Sequence, residues 1–494
     1  MQSIPLSRDI KADGVSATGL SPQRAMVLFG LALTSGVFAI AWWGNLRLGA
    51  YLDHIEGNIA IGGWLWAHGA QLYALQDGYA QFANIYGPLA YLAAVPAMLL
   101  AGPTVFASKI LSSIAVVATL ALTLHRYRRA TSMASVQAMF FMIAALTALT
   151  PMSIWIRADP FEMLLVAAGL AGAASPAFVG VCIGLAVNFK VHAFLYFLPI
   201  LWQLWTRRGW RAAPPVVVCS LATFFAPFLL PGISLHDYLA MMTQQIGSRT
   251  RHYELLVPVA AYCAALSLPV LLPLCRRRVP SADRYFGIAV LASLALAAYP
   301  ATFPGAGPYH LLPLLPLLVE ARHRLNPQGI GAEFSVFPLL FFAATTTSLT
   351  FTRTHDHQVW PAYADEALQL ARQAPPGSVV DIGYGDNQRS YEIAQLAKTE
   401  LSFNGFPRRI DAQILMELKK TEIDGARRWI PYLTQCQVGR WIMPRGEEPF
   451  AARSYFYDNV LLFDDAFRQA FAANYRPVAD SEHFTVWECA HEPR

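Results

Sequence analysis

Up to about residue 351 the chain is a succession of apolar runs separated by short polar loops. Runs at 25–43, 105–124, 136–150, 160–174, 177–187, 191–205, 215–230, 255–274, 285–299, 311–319 and 334–351 predict eleven membrane-crossing helices. Several fall short of the ~20 residues that span a hydrocarbon core, so their ends are approximate. A further run, 86–101, carries Pro88 and Pro96. Basic residues orient the whole. Arg8, Lys11 and Arg24 precede the first crossing, and Arg126, Arg128 and Arg129 follow the second. Arg207, Arg208 and Arg211 follow the sixth, Arg276, Arg277, Arg278 and Arg284 the eighth, and Arg322 and Arg324 the tenth. All share one side only if 86–101 lies on the membrane surface or re-enters, and if 160–187 is two short crossings broken near Ser175-Pro176. Residues 1–24 are then a cytoplasmic tail. The first apolar run, long enough to span, reads as an anchor rather than a cleavable signal.

Beyond 351 the pattern turns polar and mixed. Strands are expected at 379–382, 441–443 and 484–489, and amphipathic helices at 390–401 and 411–432. The predicted architecture is an α-helical polytopic membrane protein of about eleven transmembrane helices, 25–351, whose first outer loop is 44–104. A small C-terminal α/β domain, 352–494, lies on the extracytoplasmic side.

Composition sharpens this. The 494 residues are 55% hydrophobic and only 14% charged, with a mean hydropathy of +0.37, against about a quarter charged in soluble domains. The net charge of +5 is modest, and no basic run is interleaved with aromatics, which argues against a nucleic-acid partner. The six cysteines show no CxxC and no Cys/His spacing for zinc. Cys182, Cys219, Cys263 and Cys275 lie in or beside apolar runs, as small core hydrophobes do. Cys436 and Cys489 can pair if their region lies outside the cytoplasm.

Polar chemistry concentrates on the outer face. The first outer loop opens Tyr51-Leu-Asp53-His54-Ile-Glu56-Gly57, continues as an amphipathic run through Trp64 and Trp66 to Tyr73, and reaches Tyr86-Gly87-Pro88-Leu89. Asp53 and Glu56, at i,i+3, share a helical face. A carboxylate there can take a proton from a hydroxyl or bind a cation, or simply begin a solvated helix favoured by the N-terminal dipole. Arg157-Ala-Asp159-Pro160-Phe-Glu162 opens the fourth crossing, either as a functional pair or as a helix cap. Asn188-Phe-Lys190-Val-His192 places a lysine among apolar helices, where snorkelling is the plainer account. Arg249-Thr-Arg251-His252 ends a long outer loop, and Pro304-Gly-Ala-Gly307-Pro308-Tyr309-His310 breaks the backbone before the tenth crossing. Together with Arg47 and Lys109 these break the charge bias, and ionisable groups at membrane depth are functional candidates by default. Acids and bases from five separated loops suit a cavity for an anionic lipid head group, with arginine, lysine and histidine neutralising a phosphate leaving group. Val379-Val-Asp381-Ile-Gly383-Tyr-Gly385-Asp386 has the look of a nucleotide-binding glycine turn, but a lone match of this kind is weak. It reads as an ordinary strand and turn.

The acidic first outer loop, the Tyr86-Gly-Pro-Leu stretch, Val105-Phe-Ala-Ser-Lys109-Ile, Arg157-Ala-Asp159, Lys190 and Gly307-Pro-Tyr-His310-Leu-Leu-Pro resemble the GT-C superfamily of membrane glycosyltransferases across 25–351. Within it the chain resembles the bacterial families that include lipid A aminoarabinose transferases, protein mannosyltransferases and related lipopolysaccharide sugar transferases. The resemblance implies a polyprenyl-phosphate sugar donor, a glycan, lipid or protein acceptor, inversion at the sugar carbon, and a site at the outer face of a bacterial inner membrane. The family's catalytic aspartate maps to Asp53. The adjacent Asp-Glu pair of many members is replaced here by Asp53-His-Ile-Glu56, so both acids stand as candidate bases. Lys190, Arg249, Arg251 and His310 match the family's phosphate-binding groups by topology. His54, Tyr86, Arg157, Asp159, His192 and His252 complete the expected substrate site. No cofactor is expected, and a divalent metal is left open. A transporter or flippase of a lipid-linked or anionic solute is the rival reading. It predicts polar groups at the bilayer midplane in repeated halves, whereas here they gather at one face and no halves repeat.

Overall fold

The apolar runs fold as helices in the computed structural model, which describes residues 21–73, 84–128, 132–248, 253–275, 279–326, 336–407, 410–418, 426–454 and 459–490. Helix α1 (Pro22–Arg47) starts where Ser21 caps it and Pro22 needs no hydrogen-bond acceptor for its nitrogen. The first outer loop forms α2 (His54–Ala67), α3 (Pro88–Leu92) and α4 (Val95–Ala101). Then come α5 (Val105–Tyr127), α6 (Ser132–Ala148), α7 (Ala158–Ala171) and α8 (Pro176–Phe189). The break expected at Ser175-Pro176 is where α8 begins, with Ser175 capping it. There follow α9 (Leu198–Arg208), α10 (Ala213–Phe225), α11 (Leu235–Ser248), α12 (Leu256–Leu274), α13 (Ser281–Ala301), α14 (Leu315–Leu325) and α15 (Phe337–Asp356).

Among the described residues, five helical stretches are long and apolar enough to cross a membrane: Arg24–Arg47, Val105–Tyr127, Val191–Leu229, Tyr253–Leu274 and Ser281–Ala301. Their flanks expose Phe29, Ile40, Val218 and Val257, the side chains a lipid-facing helix presents. Inside the bundle, α10 lies directly against α8. A Cβ on Gly184 would fall 1.9 Å from Thr223 Oγ1, the close backbone approach that small residues give membrane helices.

The C-terminal part contains α16 (Trp360–Arg372), β1 (Val380–Ile382), α17 (Gln388–Phe403), α18 (Ala412–Leu418), α19 (Ile430–Thr434), β2 (Arg440–Pro444), α20 (Asp465–Asn474), β3 (Tyr475–Asp480) and β4 (Phe484–Cys489). The sheet runs β1-β2-β4-β3, with β1 parallel to β2 and the other pairs antiparallel. Cys436 and Cys489 form a disulfide. Of the helix expected over 411–432, the described residues show α18 up to Leu418 and, after a 3₁₀ turn at Arg427–Trp429, α19, with Pro431 in its first turn where no N–H is needed; 419–425 lie outside the described residues. β3 escaped the sequence because five of its six residues are exposed and Pro477 sits within it, as on an edge strand.

One apolar core joins this unit to the first outer loop. Leu48, Tyr51, Leu52, Ala60 and Val105 cluster with Trp360, Tyr391, Ala394 and Leu396. The run read as amphipathic is α2, and it is buried along Ile55–Gly57 and Ile59–Gly63. Helix α17 packs so closely on it that a Cβ on Gly57 would lie 2.8 Å from Thr399 Oγ1.

Candidate active site

The approach to α2 is held rigidly. Lys109, wholly buried in α5, donates from Nζ to the carbonyls of Asn45 (2.8 Å), Leu48 (3.1 Å) and Ala50 (2.6 Å). It thereby satisfies carbonyls that the end of α1 leaves open. Tyr51 meets Ser108 at 3.1 Å, and its carbonyl lies 2.7 Å from His357 Nδ1. Asp53 is the N-cap of α2: its Oδ1 accepts from the Ile55 amide at 2.8 Å. Glu56, fully buried, completes the capping box. Its Oε1 accepts from the amides of Leu52 (2.9 Å) and Asp53 (3.0 Å), and its Oε2 from the amide of Ile156 (2.9 Å). Both oxygens of Glu56 are thus committed to backbone, while Asp53 Oδ2 faces Arg157 Nη1 at 3.8 Å.

Arg157 precedes α7 and is almost completely buried. Its Nη2 donates to the hydroxyls of Tyr86 (2.6 Å) and Tyr309 (2.8 Å), and the guanidinium lies 4.3 Å from the rings of both Trp155 and Tyr309. Its Nε has no acceptor among the described residues. Lys190, at the end of α8, sits over the same two tyrosines, 4.9 Å from the Tyr309 ring and 5.7 Å from that of Tyr86. It donates to Asp159 and lies 4.0 Å from Glu162. Tyr86 reaches this place because Gly87 lies flat against α8: a Cβ there would fall 1.9 Å from the Asn188 carbonyl. Tyr309 donates to the Gly305 carbonyl at 2.6 Å. His310 stacks on Tyr309 and meets His192 at 2.9 Å, Nδ1 to Nε2.

The structure therefore brings together Asp53, Glu56, Tyr86, Arg157, Asp159, Lys190, His192 and His310. His54 stands at the edge, its Nδ1 4.0 Å from Asp53 Oδ1 and its ring 5.6 Å from that of Tyr391 in α17. Arg249, Arg251 and His252 lie outside the described residues. Burial works to raise the Asp53 carboxyl, but His54, Arg157 and the Ile55 amide together outweigh it, and the group lies below its ordinary range. Burial holds His54 below the usual imidazole range. Among the described residues no three His, Cys, Asp or Glu side chains form a metal site.

Sequence reasoning missed Tyr309 as a site residue, although it lies inside the Gly307–His310 break, and it missed Glu162, which lies inside the Arg157 motif. The glycine turn read as ordinary is filled from within. Glu447 accepts from the Asp386 amide (3.0 Å), from Asn387 and from Ser390 Oγ (2.6 Å), and a Cβ on Gly385 would lie 1.8 Å from its Oε2. The N-terminus of α17 already holds a carboxylate there.

No family model matches the chain, and no curated protein matches it in sequence. Among solved structures, it is similar to ArnT from Cupriavidus metallidurans bound to undecaprenyl phosphate, with a TM-score of 0.57 and 14% identity over 94% of this chain and 98% of that one. It is also similar to the apo state of the same protein, with a TM-score of 0.55 and 15% identity over the same shares. At this identity the likeness establishes the fold alone: the chain folds as ArnT does. The resemblance read from the outer-loop motifs holds at that level.

Proposed function

We propose that this protein transfers a sugar from a polyprenyl-phosphate donor to a hydroxyl of an envelope glycan, lipid or protein, inverting the sugar's first carbon. The site faces the outside of a bacterial inner membrane. In this reading eleven helices cross within 25–351, and 352–494 is periplasmic. The observation that carries it is the single buried cluster in which the Asp53 carboxylate lies 3.8 Å from Arg157, itself wired to the two tyrosines that Lys190 overlies. A carboxylate beside two cations is what the reaction needs. Asp53 takes the proton of the acceptor O–H as that oxygen bonds to the anomeric carbon. The bond from that carbon to the phosphate oxygen breaks, and its electron pair leaves with the polyprenyl phosphate. Arg157, with Lys190 and His310, stabilises the charge that develops there. Arg249, Arg251 and His252 are further candidates for this role. Glu56 holds the backbone of the base and does not itself take the proton. The ArnT structure with undecaprenyl phosphate supports a lipid-phosphate substrate by analogy of fold.

The test is Asp53→Asn, with membrane insertion and lipid-phosphate binding confirmed. Removing the base should lower turnover by about 10²–10⁴. Wild-type turnover in that variant would take Asp53 out of the scheme.

A further inference from the structure

The transfer just described leaves a proton on Asp53, whose surroundings favour the ionised form. Asp53 is also the way out of the cluster. Its side chain keeps 21% of its exposure, against 2% for Arg157 and 4% for Lys190. Away from Arg157 it borders a narrow crevice, which is lined by His54 from its own loop, His357 from the turn after α15, Trp360 from the start of α16, and Glu392 and Gln395 from α17. The crevice admits about 10 Å³, room for about one water and too little for a sugar ring. Glu392, with 26% side-chain exposure, connects it to the outside.

We propose that Glu392 receives the Asp53 proton through a water held in this crevice and releases it to the extracytoplasmic solvent before the next turnover. The inference rests on the role assigned to Asp53 above. The protonated Asp53 carboxyl gives its proton to the water, and the water passes one of its own to a Glu392 oxygen. Glu392 then loses it to bulk water. Both carboxylates end ionised, and one proton leaves per sugar transferred.

The groups around Glu392 suit the task. Burial raises its carboxyl above the ordinary range; Arg353 from α15 opposes this, Asp53 from the first outer loop adds to it, and Gln388 from α17 lowers it. The proton therefore moves from the stronger acid to the weaker. His357 is pushed down to about 4 by burial, with the Tyr51 carbonyl and Asp356 opposing and Arg353 and Lys109 adding to the shift. It is neutral at physiological pH. Its Nδ1–H donates to the Tyr51 carbonyl at 2.7 Å, which leaves Nε2 as an acceptor 3.9 Å from Glu392 Oε2. A neutral acceptor at that distance sits beside the Glu392 carboxyl without holding it ionised.

The experiment uses full-length protein in membranes of the source organism that lack the wild-type chain and so supply native donor and acceptor. Mass spectrometry follows the release of free polyprenyl phosphate from pH 5 to 9. In Glu392→Gln, kcat is expected to fall about tenfold or more with KM unchanged, and the acid limb of the profile to move to lower pH. Glu392→Ala, which opens space for a small acid, is expected to regain turnover with added formate in a concentration-dependent way. Wild-type kcat with an unmoved acid limb in Glu392→Gln overturns the relay, and so does a loss in both variants that formate does not restore and that leaves the acid limb in place. Asp53→Asn separates the two claims: if it is inactive while Glu392→Gln runs normally, the base stands and the relay fails. If Asp53→Asn itself turns over normally, the base fails and the relay with it.

Discussion

Glu56→Gln separates the two acids of the first outer loop. The carboxylate accepts three amides from two segments, Leu52 and Asp53 on one oxygen and Ile156 on the other. It therefore fastens the backbone that carries Asp53 to the backbone that carries Arg157. Glutamine has the same shape but turns one of the two acceptor atoms into a donor. If its oxygen stays with Leu52 and Asp53, its NH₂ faces the Ile156 amide, donor against donor. Losing one charge-assisted bond to a buried amide costs about 1.5–3 kcal/mol, and the loss of charge weakens the other two by about 0.5 kcal/mol each. The expected destabilisation is about 2.5–4 kcal/mol, read as a lower melting midpoint in nanodiscs. Loosening Ile156 also shifts Arg157, whose Nη1 is 3.8 Å from Asp53. A displacement of about 1 Å at a reacting centre is worth up to about 10²-fold in rate. Turnover should therefore fall by about 10- to 100-fold while its acid limb stays where it is in wild type. An unchanged melting midpoint, with turnover down about 10³-fold or more and the acid limb gone, would make Glu56 the base and refute this division of labour.

Arg157→Lys keeps the charge but cannot bridge Tyr86, Tyr309 and Asp53 at once. Losing one such contact, about 1.5–3 kcal/mol, should weaken binding of undecaprenyl phosphate to the purified protein by about 10- to 100-fold, and unchanged affinity would show that Arg157 does not hold the phosphate. Gly87→Ala drives a Cβ into the Asn188 carbonyl and should pull Tyr86 from Arg157. It should lower both the melting midpoint and turnover, and a variant equal to wild type in both would count against the close contact with α8. Burial and nearby Asp365 raise the Glu400 carboxyl to about 7, whereas in the unfolded chain it titrates near about 4.3. Between those values the folded protein keeps a proton that the unfolded chain has lost, so this group's stabilisation is full below the lower value and is lost as pH rises through the upper one. From pH 5 to 8 the melting midpoint of Glu400→Gln should accordingly fall less than that of wild type, and parallel curves would exclude the effect.

The membrane part was legible because its background is so plain. Against uninterrupted apolar helices, Asp53, Arg157, Asp159, Lys190 and His310 stand out as residues whose placement lipid alone would not tolerate, and the structure gathers them. Partnership was not legible. Lys109 was visible as an outward cation, yet nothing nearby in sequence says that it closes the end of α1, because its acceptors lie 59 to 64 residues away. His357 and the Tyr51 carbonyl are 306 residues apart. Glu56 looked as reactive as Asp53 until the amide of Ile156, 100 residues on, was seen to occupy its second oxygen.

The C-terminal unit inverts the problem. There a carboxylate is one of many, so Glu392 carries no signal, and the motif that did stand out, Gly383-Tyr-Gly385, proved to be packed around Glu447. Its relevance comes instead from the core it shares with the first outer loop, where Tyr51 and Leu52 pack with Trp360, Tyr391 and Leu396. Because Asp53 follows directly on those two residues, the packing that stabilises the C-terminal unit also sets where the Asp53 carboxylate points. A substitution in α17 facing α2, such as at Leu396 or Thr399, is therefore expected to act on turnover through the position of Asp53. A domain that merely sat on the membrane part would instead let such changes lower stability and leave the rate per folded molecule untouched. The shared core makes that separation impossible, and it places Glu392 beside Asp53 on the same helix that does the packing.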